Sequence, residues 1–190
     1  VQLVVADEKR SQGKIVNQTE YQSPEARLQI GIAPTKLNER FEWFLEKATE
    51  IGIDKVSPII CDRSERKVIK LPRMQRIIVS AAKQSLKYNF PKLQESRSFK
   101  QFLQLGQWPE NSQRFIAHCG DGERRSLKAV LVPGRPAVIL IGPEGDFSPE
   151  EVRLAIDAGF VPVSLGSSRL RTETAGIVAC HTFSLCNQMD

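Results

Sequence analysis

The chain lacks the features that mark several large protein classes. Its four cysteines, Cys61, Cys119, Cys180 and Cys186, form no C-x-x-C pair and are too sparse for a disulfide-stapled secreted domain, so they read as reduced thiols. Two of them adjoin the only two histidines, as His118-Cys119 and Cys180-His181. Adjacent side chains rarely converge on one ion, and no metal site is assigned. No apolar run approaches the roughly 18 to 20 residues of a membrane-spanning helix; the longest are short stretches such as Ala137 to Ile141. Val1 to Arg10 shows neither a long apolar region nor a cleavage site, so no export signal is visible and a cytoplasmic location is expected. The chain begins without methionine, so further residues before Val1 are expected. There is no G-x-G-x-x-G and no G-x-x-x-x-G-K-[ST], which disfavours the usual dinucleotide fold and the phosphate-cradling loop. Gly166-Ser167-Ser168 does not complete a G-x-S-x-G elbow, and neither histidine has a triad context, so covalent catalysis has little support.

What is present is enough for one ordinary domain plus a fragment of another: 190 residues, 41% of them hydrophobic. The net charge of +5 is unevenly spread. Residues 140–190 hold three basic side chains (Arg153, Arg169 and Arg171) against seven acidic ones, while the rest of the chain carries 24 basic and 15 acidic residues. That asymmetry suggests a polyanion-binding front and a neutral-to-acidic ligand site behind it, although a solvated basic surface explains the charge equally simply.

Val1 to Tyr21 alternates apolar and polar residues around a polar turn and reads as a β-hairpin, part of a small β domain. Ser23-Pro24-Glu25-Ala26 reads as the linker. From Arg27 onward strands alternate with helices. Strands are expected at Leu28 to Ala33, Val56 to Cys61, Arg114 to Cys119, Ala137 to Ile141 and Val161 to Leu165. Helices are expected at about Thr35 to Ile51, ended by Gly52, at Leu71 to Lys87, and at Thr172 to about Asn187. Ser148-Pro149-Glu150-Glu151 has the form of a capping box with proline at the first helical position, so a helix follows it and closes at Gly159. This alternation predicts an α/β fold with a largely parallel sheet covered on both faces.

The most informative stretch is Leu140-Ile141-Gly142-Pro143-Glu144-Gly145, followed by Leu165-Gly166 and then by Leu170-Arg171-Thr172-Glu173-Thr174-Ala175. Each leaves an apolar strand through a bend that brings main-chain groups to the end of a sheet, where a small ligand is held by backbone hydrogen bonds. Glu144, Asp146 and Glu173 stand near to balance positive charge. S-adenosylmethionine fits this chemistry, since its adenine and ribose suit backbone and apolar contacts and its sulfonium is tolerated beside carboxylates. Taken singly, each motif is equally well a plain turn or a helix cap.

Taken together, Gly142 to Ser148 and Leu165 to Ala175 closely resemble the RsmE family, uracil-N3 methyltransferases of 16S ribosomal RNA. The resemblance extends through Asn38 to Gly52 and Ala82-Lys83-Gln84-Ser85, and so covers nearly the whole chain from Arg27. It implies a SPOUT-type domain with a C-terminal trefoil knot over residues 23–190, a remnant of an RNA-binding PUA-like β-barrel over residues 1–22, and a homodimer. It also implies that Ile141, Gly142, Pro143, Glu144, Gly145, Leu165, Gly166, Leu170, Arg171, Thr172, Thr174 and Ala175 enclose S-adenosylmethionine. Arg171 would stabilise the uracil oxyanion, and Glu173 would orient Arg171 in preference to accepting a proton. The chain departs from the family pattern at Asp146, where a second glycine is frequent, and at Ser168, where an arginine is usual; Arg169 follows at once.

For the substrate, 16S rRNA or the small ribosomal subunit, contacts are expected from Arg63, Arg66, Lys67, Lys70, Arg73 and Arg76, with Lys83, Gln84 and Ser85 nearer the target nucleotide. Two alternatives stay open: another SPOUT enzyme acting on a ribose 2′-hydroxyl or a guanine, and an RNA-binding assembly protein without catalysis.

Overall fold

The computed structural model describes residues 1–20, 27–120, 122 and 124–188. Strands β1 (Gln2–Val5) and β2 (Gln12–Lys14) pair antiparallel as the expected hairpin, and every residue of both is exposed. The linker expected at Ser23 to Ala26, and with it the boundary between residues 22 and 23, lies outside the described residues.

The elements that follow are β3 (Leu28–Ile32), α1 (Asn38–Ile51), β4 (Lys55–Ile60), α2 (Leu71–Gln84), β5 (Lys92–Leu93), β6 (Arg97–Ser98), α3 (Phe99–Leu105) and β7 (Gln113–Ala117). Then come β8 (Arg125–Ser126), α4 (Leu127–Val130), β9 (Ala137–Ile141), α5 (Pro149–Asp157), β10 (Val161–Ser164) and α6 (Thr172–Cys186). The strands from β3 onward form a sheet in the order β5-β4-β3-β9-β7-β10-β8, with β6 also on β4, and every pairing is parallel.

Period-two alternation sends Ala137, Ile139 and Ile141 of β9 to one face, where they meet Phe41, Phe44 and Leu45 of α1, Met74 and Ile78 of α2, and Ala179 and Phe183 of α6. Val138 and Leu140 go to the other face, against Phe99 and Phe102 of α3, Ala155 of α5, and Phe160. Sealing each large side chain such as Phe41 or Phe44 away from water contributes about 1.5–3 kcal/mol. The expected sheet with two covered faces is therefore what the chain builds.

Several expected boundaries move for identifiable reasons. Helix α1 starts at Asn38 rather than Thr35, because Ala33 still donates to the Ile141 carbonyl and the Lys36 amide donates to Glu144 Oε1 at 2.9 Å, holding the connection extended. Helix α2 ends at Gln84 rather than Lys87, since Leu86 has φ +55°. Strand β7 stops at Ala117 rather than Cys119, because the Cys119 amide donates to Asp146 and leaves the ladder. Gly52, at φ +117°, caps α1 as expected, its amide donating to the Ala48 carbonyl at 3.0 Å. Helix α3, with its Ser98–Gln101 capping box, and the short elements β5, β6, β8 and α4 were not expected.

Candidate active site

Three neighbouring parallel strands, β9, β7 and β10, release the chain at the same end of the sheet, the carboxyl end at which such folds bind ligands. After β9, the turn at Gly142 to Gly145 is closed by the Asp146 amide donating to the Pro143 carbonyl at 2.9 Å. A side chain at Gly142 would meet the Phe147 ring at 3.0 Å and its backbone nitrogen at 3.2 Å, so the turn needs glycine here.

The capping box of α5 does more than cap. Glu151 is 2% exposed; its Oε2 accepts from the Ser148 amide at 2.8 Å, and its Oε1 accepts from the Asp62 amide at 2.9 Å, joining the turn to the loop after β4. Arg63 Nη1 completes the join by donating to the Gly145 carbonyl at 2.9 Å. Burial, and then the adjacent Glu151 carboxylate, push the Cys61 thiol far above its ordinary range, so it is inert packing.

The second bend follows β10. Ser164 Oγ donates to the Gly166 carbonyl at 2.9 Å and accepts from the Gly166 amide at 3.2 Å. The third enters α6 through Arg171, whose backbone is extended, and there the Thr172 hydroxyl donates to the Gly142 carbonyl at 3.0 Å. These bends, with residues 117–120 and Arg124, surround one cavity of about 870 Å³. That is within the range of small-molecule sites.

Of the residues expected to hold a cofactor, Ile141 to Gly145, Leu165, Gly166, Leu170, Arg171, Thr172 and Ala175 all line this cavity. Thr174 does not, and neither does Glu173. Glu173 pairs with Arg40 of α1 at 3.7 Å instead of with Arg171, and its buried Oε2 has no hydrogen-bond partner among the described residues. The expected orientation of Arg171 by Glu173 is thus replaced by an Arg40–Glu173 contact, because the first turn of α6 faces α1.

Sequence reasoning missed His118, Cys119, Gly120 and Arg124. The available signal was their place at the carboxyl end of a parallel strand, which is where such folds bind ligands. Burial first, and then the Arg124 guanidinium, hold the His118 imidazole below its ordinary value, while Asp146 acts in the opposite direction. Among the described residues no group of three or more His, Cys, Asp or Glu side chains could hold a metal, and no helix is long and apolar enough to cross a membrane.

The expected RNA-contacting residues divide into two groups. Lys67, Lys70, Arg76, Lys83 and Gln84 are exposed. Arg63 and Arg73 are exposed too but already engaged, Arg63 in the cavity wall and Arg73 with Glu42 at 2.6 Å, while Arg66 donates to the Thr35 and Lys36 carbonyls and Ser85 Oγ donates to the Ala81 carbonyl at 2.7 Å.

Residues 22–184 match the model of a family described as RNA methyltransferase domain. The ribosomal RNA small subunit methyltransferase E of Mesomycoplasma hyopneumoniae is 30% identical over 161 residues, covering 81% of this chain and 67% of that protein. The chain belongs to the RsmE family.

Among solved structures of similar fold, a probable rRNA-methyltransferase from Porphyromonas gingivalis superimposes with a TM-score of 0.88 at 45% identity, covering 97% of this chain and 79% of that one. The RsmE protein of Neisseria gonorrhoeae, solved bound to S-adenosyl methionine, gives 0.82 at 27% identity over 97% and 77%. The chain spans from 47% to 67% of the length of the first curated RsmE relatives it matches.

Proposed function

We propose that this chain carries the catalytic domain of an S-adenosylmethionine-dependent methyltransferase that methylates N3 of a uridine in 16S rRNA, with rRNA or the small ribosomal subunit as its substrate. One observation carries the reading: three bends separated in sequence enclose a single cavity, with an exposed arginine, Arg171, on its wall.

The residues present fit the cofactor. The walls combine backbone bends and small side chains with four arginines, Arg63, Arg124, Arg169 and Arg171, and the Glu144 and Asp146 carboxylates are there to tolerate a sulfonium. When bound, the cofactor supplies an electrophilic methyl group. The chain's own part is to place the acceptor base in line with that methyl and to favour its anion. As N3 gives up its proton to solvent water, negative charge spreads onto the uracil carbonyl oxygens, and Arg171 stabilises it. Glu173 acts at one remove: it holds Arg40 and favours the positive end of the α6 dipole, and it is assigned no proton transfer. Exposed Lys67, Lys70, Arg76 and Lys83 contribute phosphate contacts, with Gln84 beside them.

The same reading includes a trefoil knot, a PUA-like origin for residues 1–22, a homodimer and a cytoplasmic location. The knot is supported by α6 packing back on β3 and β9 although the chain enters it from β10. The PUA-like origin is supported by the exposed apolar residues Leu3, Val4 and Val5 of a hairpin too small to stand alone. Leu185, an exposed apolar residue near the end of α6, supports the homodimer.

The test is incubation with unmodified small ribosomal subunits and methyl-labelled cofactor, followed by nucleoside mass spectrometry. Labelled 3-methyluridine is expected; label on ribose or guanine, or none, overturns the assignment.

A further inference from the structure

Asp146 has φ +61°, in the left-handed region that side chains other than glycine, asparagine and aspartate rarely occupy. Its carboxylate spans two walls of the cavity: Oδ1 accepts from the Phe147 amide and Oδ2 from the Cys119 amide, each at 2.8 Å. Hydrogen bonds to an ionised carboxylate are the stronger kind.

Among the described residues, the other side-chain hydrogen bonds of the wall it reaches run within the wall itself. Beyond β7 the chain runs through Gly120 and Gly122, the latter at φ +120°, and Cys119 and Gly120 are exposed. Within that wall the Gly120 amide donates to His118 Nδ1 at 3.1 Å, and Arg124 donates to the His118 carbonyl. An imidazole that accepts at Nδ1 carries its proton on Nε2, so the Gly120 bond fixes the tautomer of a cavity-lining side chain.

We propose that Asp146 is a positioning residue that ties His118, Cys119 and Gly120 to the Gly142–Gly145 turn and so preforms the fourth wall of the cavity for ligand binding. The ligand half of this rests on the cofactor reading above. A preformed wall spares the ligand the ordering of a mobile loop and so tightens binding.

The experiment compares the unmodified chain with Asp146→Gly and Asp146→Asn. Glycine suits φ +61° better than aspartate, so Asp146→Gly removes the tie without introducing backbone strain. Relief of the positive φ offsets part of the two lost hydrogen bonds, so the chain should still unfold cooperatively with a modestly lowered melting temperature; the Cys119 amide should exchange faster by NMR, and calorimetry should show the dissociation constant for S-adenosylmethionine raised about tenfold. Asparagine tolerates the same backbone but presents one acceptor and one donor group to two amide donors, so its affinity should lie between those of the unmodified chain and Asp146→Gly. Unchanged Cys119 exchange in Asp146→Gly overturns the tie. Unchanged affinity, or Asp146→Asn binding as weakly as Asp146→Gly, overturns the positioning role in favour of none or of charge alone. If the unmodified chain binds no cofactor while Cys119 still loses protection in Asp146→Gly, the tie stands and the cofactor reading fails.

Discussion

The Thr172 hydroxyl donates to the Gly142 carbonyl at 3.0 Å across thirty residues of sequence, and both groups are buried. This single bond fastens the last bend of the cavity to the first. Everything the site does depends on those two segments staying together.

Thr172→Val keeps the shape of the side chain and leaves the Gly142 carbonyl without a donor. Loss of a buried hydrogen bond of this kind costs about 1–3 kcal/mol. Chemical denaturation should show that loss, and cofactor affinity measured by calorimetry should fall with it. Unaltered stability and affinity would mean that packing alone holds the bends.

Arg171→Ala should reduce methyl transfer about 10²- to 10³-fold, the usual effect of removing one stabiliser of a developing oxyanion. The side chain is exposed, so the melting temperature should not change. A labelled-methyl assay on ribosomal subunits checks this, and turnover near normal would remove the residue from the mechanism.

Gly176 sits where α6 crosses α1. A Cβ there would lie 2.6 Å from Phe44 Cε2 and 3.0 Å from Ile32 Cδ1, both in fully buried side chains. Gly176→Ala should therefore destabilise by about 1–3 kcal/mol through overpacking, despite alanine's better helix propensity. Thermal unfolding decides the sign.

The lowered pKa of His118 makes stability depend on pH. The unfolded imidazole binds a proton near the ordinary value of 6.5, whereas the folded one resists it. The contribution is therefore complete above that value and is lost as pH falls through the lowered one. His118→Gln should flatten this part of the stability curve, on the acid side of the ordinary imidazole value. An NMR titration should place the midpoint of His118 below 6.5.

Lys67 and Lys70 are exposed, whereas Arg66 is bound to two backbone carbonyls. Neutralising the two lysines should lower the salt dependence of RNA binding by about two charge equivalents. Arg66→Gln should act on thermal stability instead. Equal effects of both changes on the salt slope would count against this division.

Much of the fold is legible because its determinants are local. The Ser148–Glu151 box predicts the start of α5, Gly52 the end of α1, and the run Ala137 to Ile141 a strand buried on both faces. Helix α3 escaped notice because its seven residues are too few to set a period, although Ser98 and Gln101 do form a capping box. The cavity was legible in its three bends and not in its fourth wall. Residues 118–120 carry no motif, and their role comes from a carboxylate 27 positions further along the chain.

By itself the sequence determined the order of strands and helices, the parallel character of the sheet and the glycine turns, since these follow from side-chain period and backbone freedom within a few residues. Only the tertiary structure decided the partners: Glu173 with Arg40, Arg66 with the loop after β3, Asp146 with Cys119, and Lys36 with Glu144 across 108 residues. The reason is physical. Several carboxylates and guanidiniums of similar chemistry compete for each bond, and the winner is set by which strand ends the sheet brings side by side, a distance that no local pattern contains.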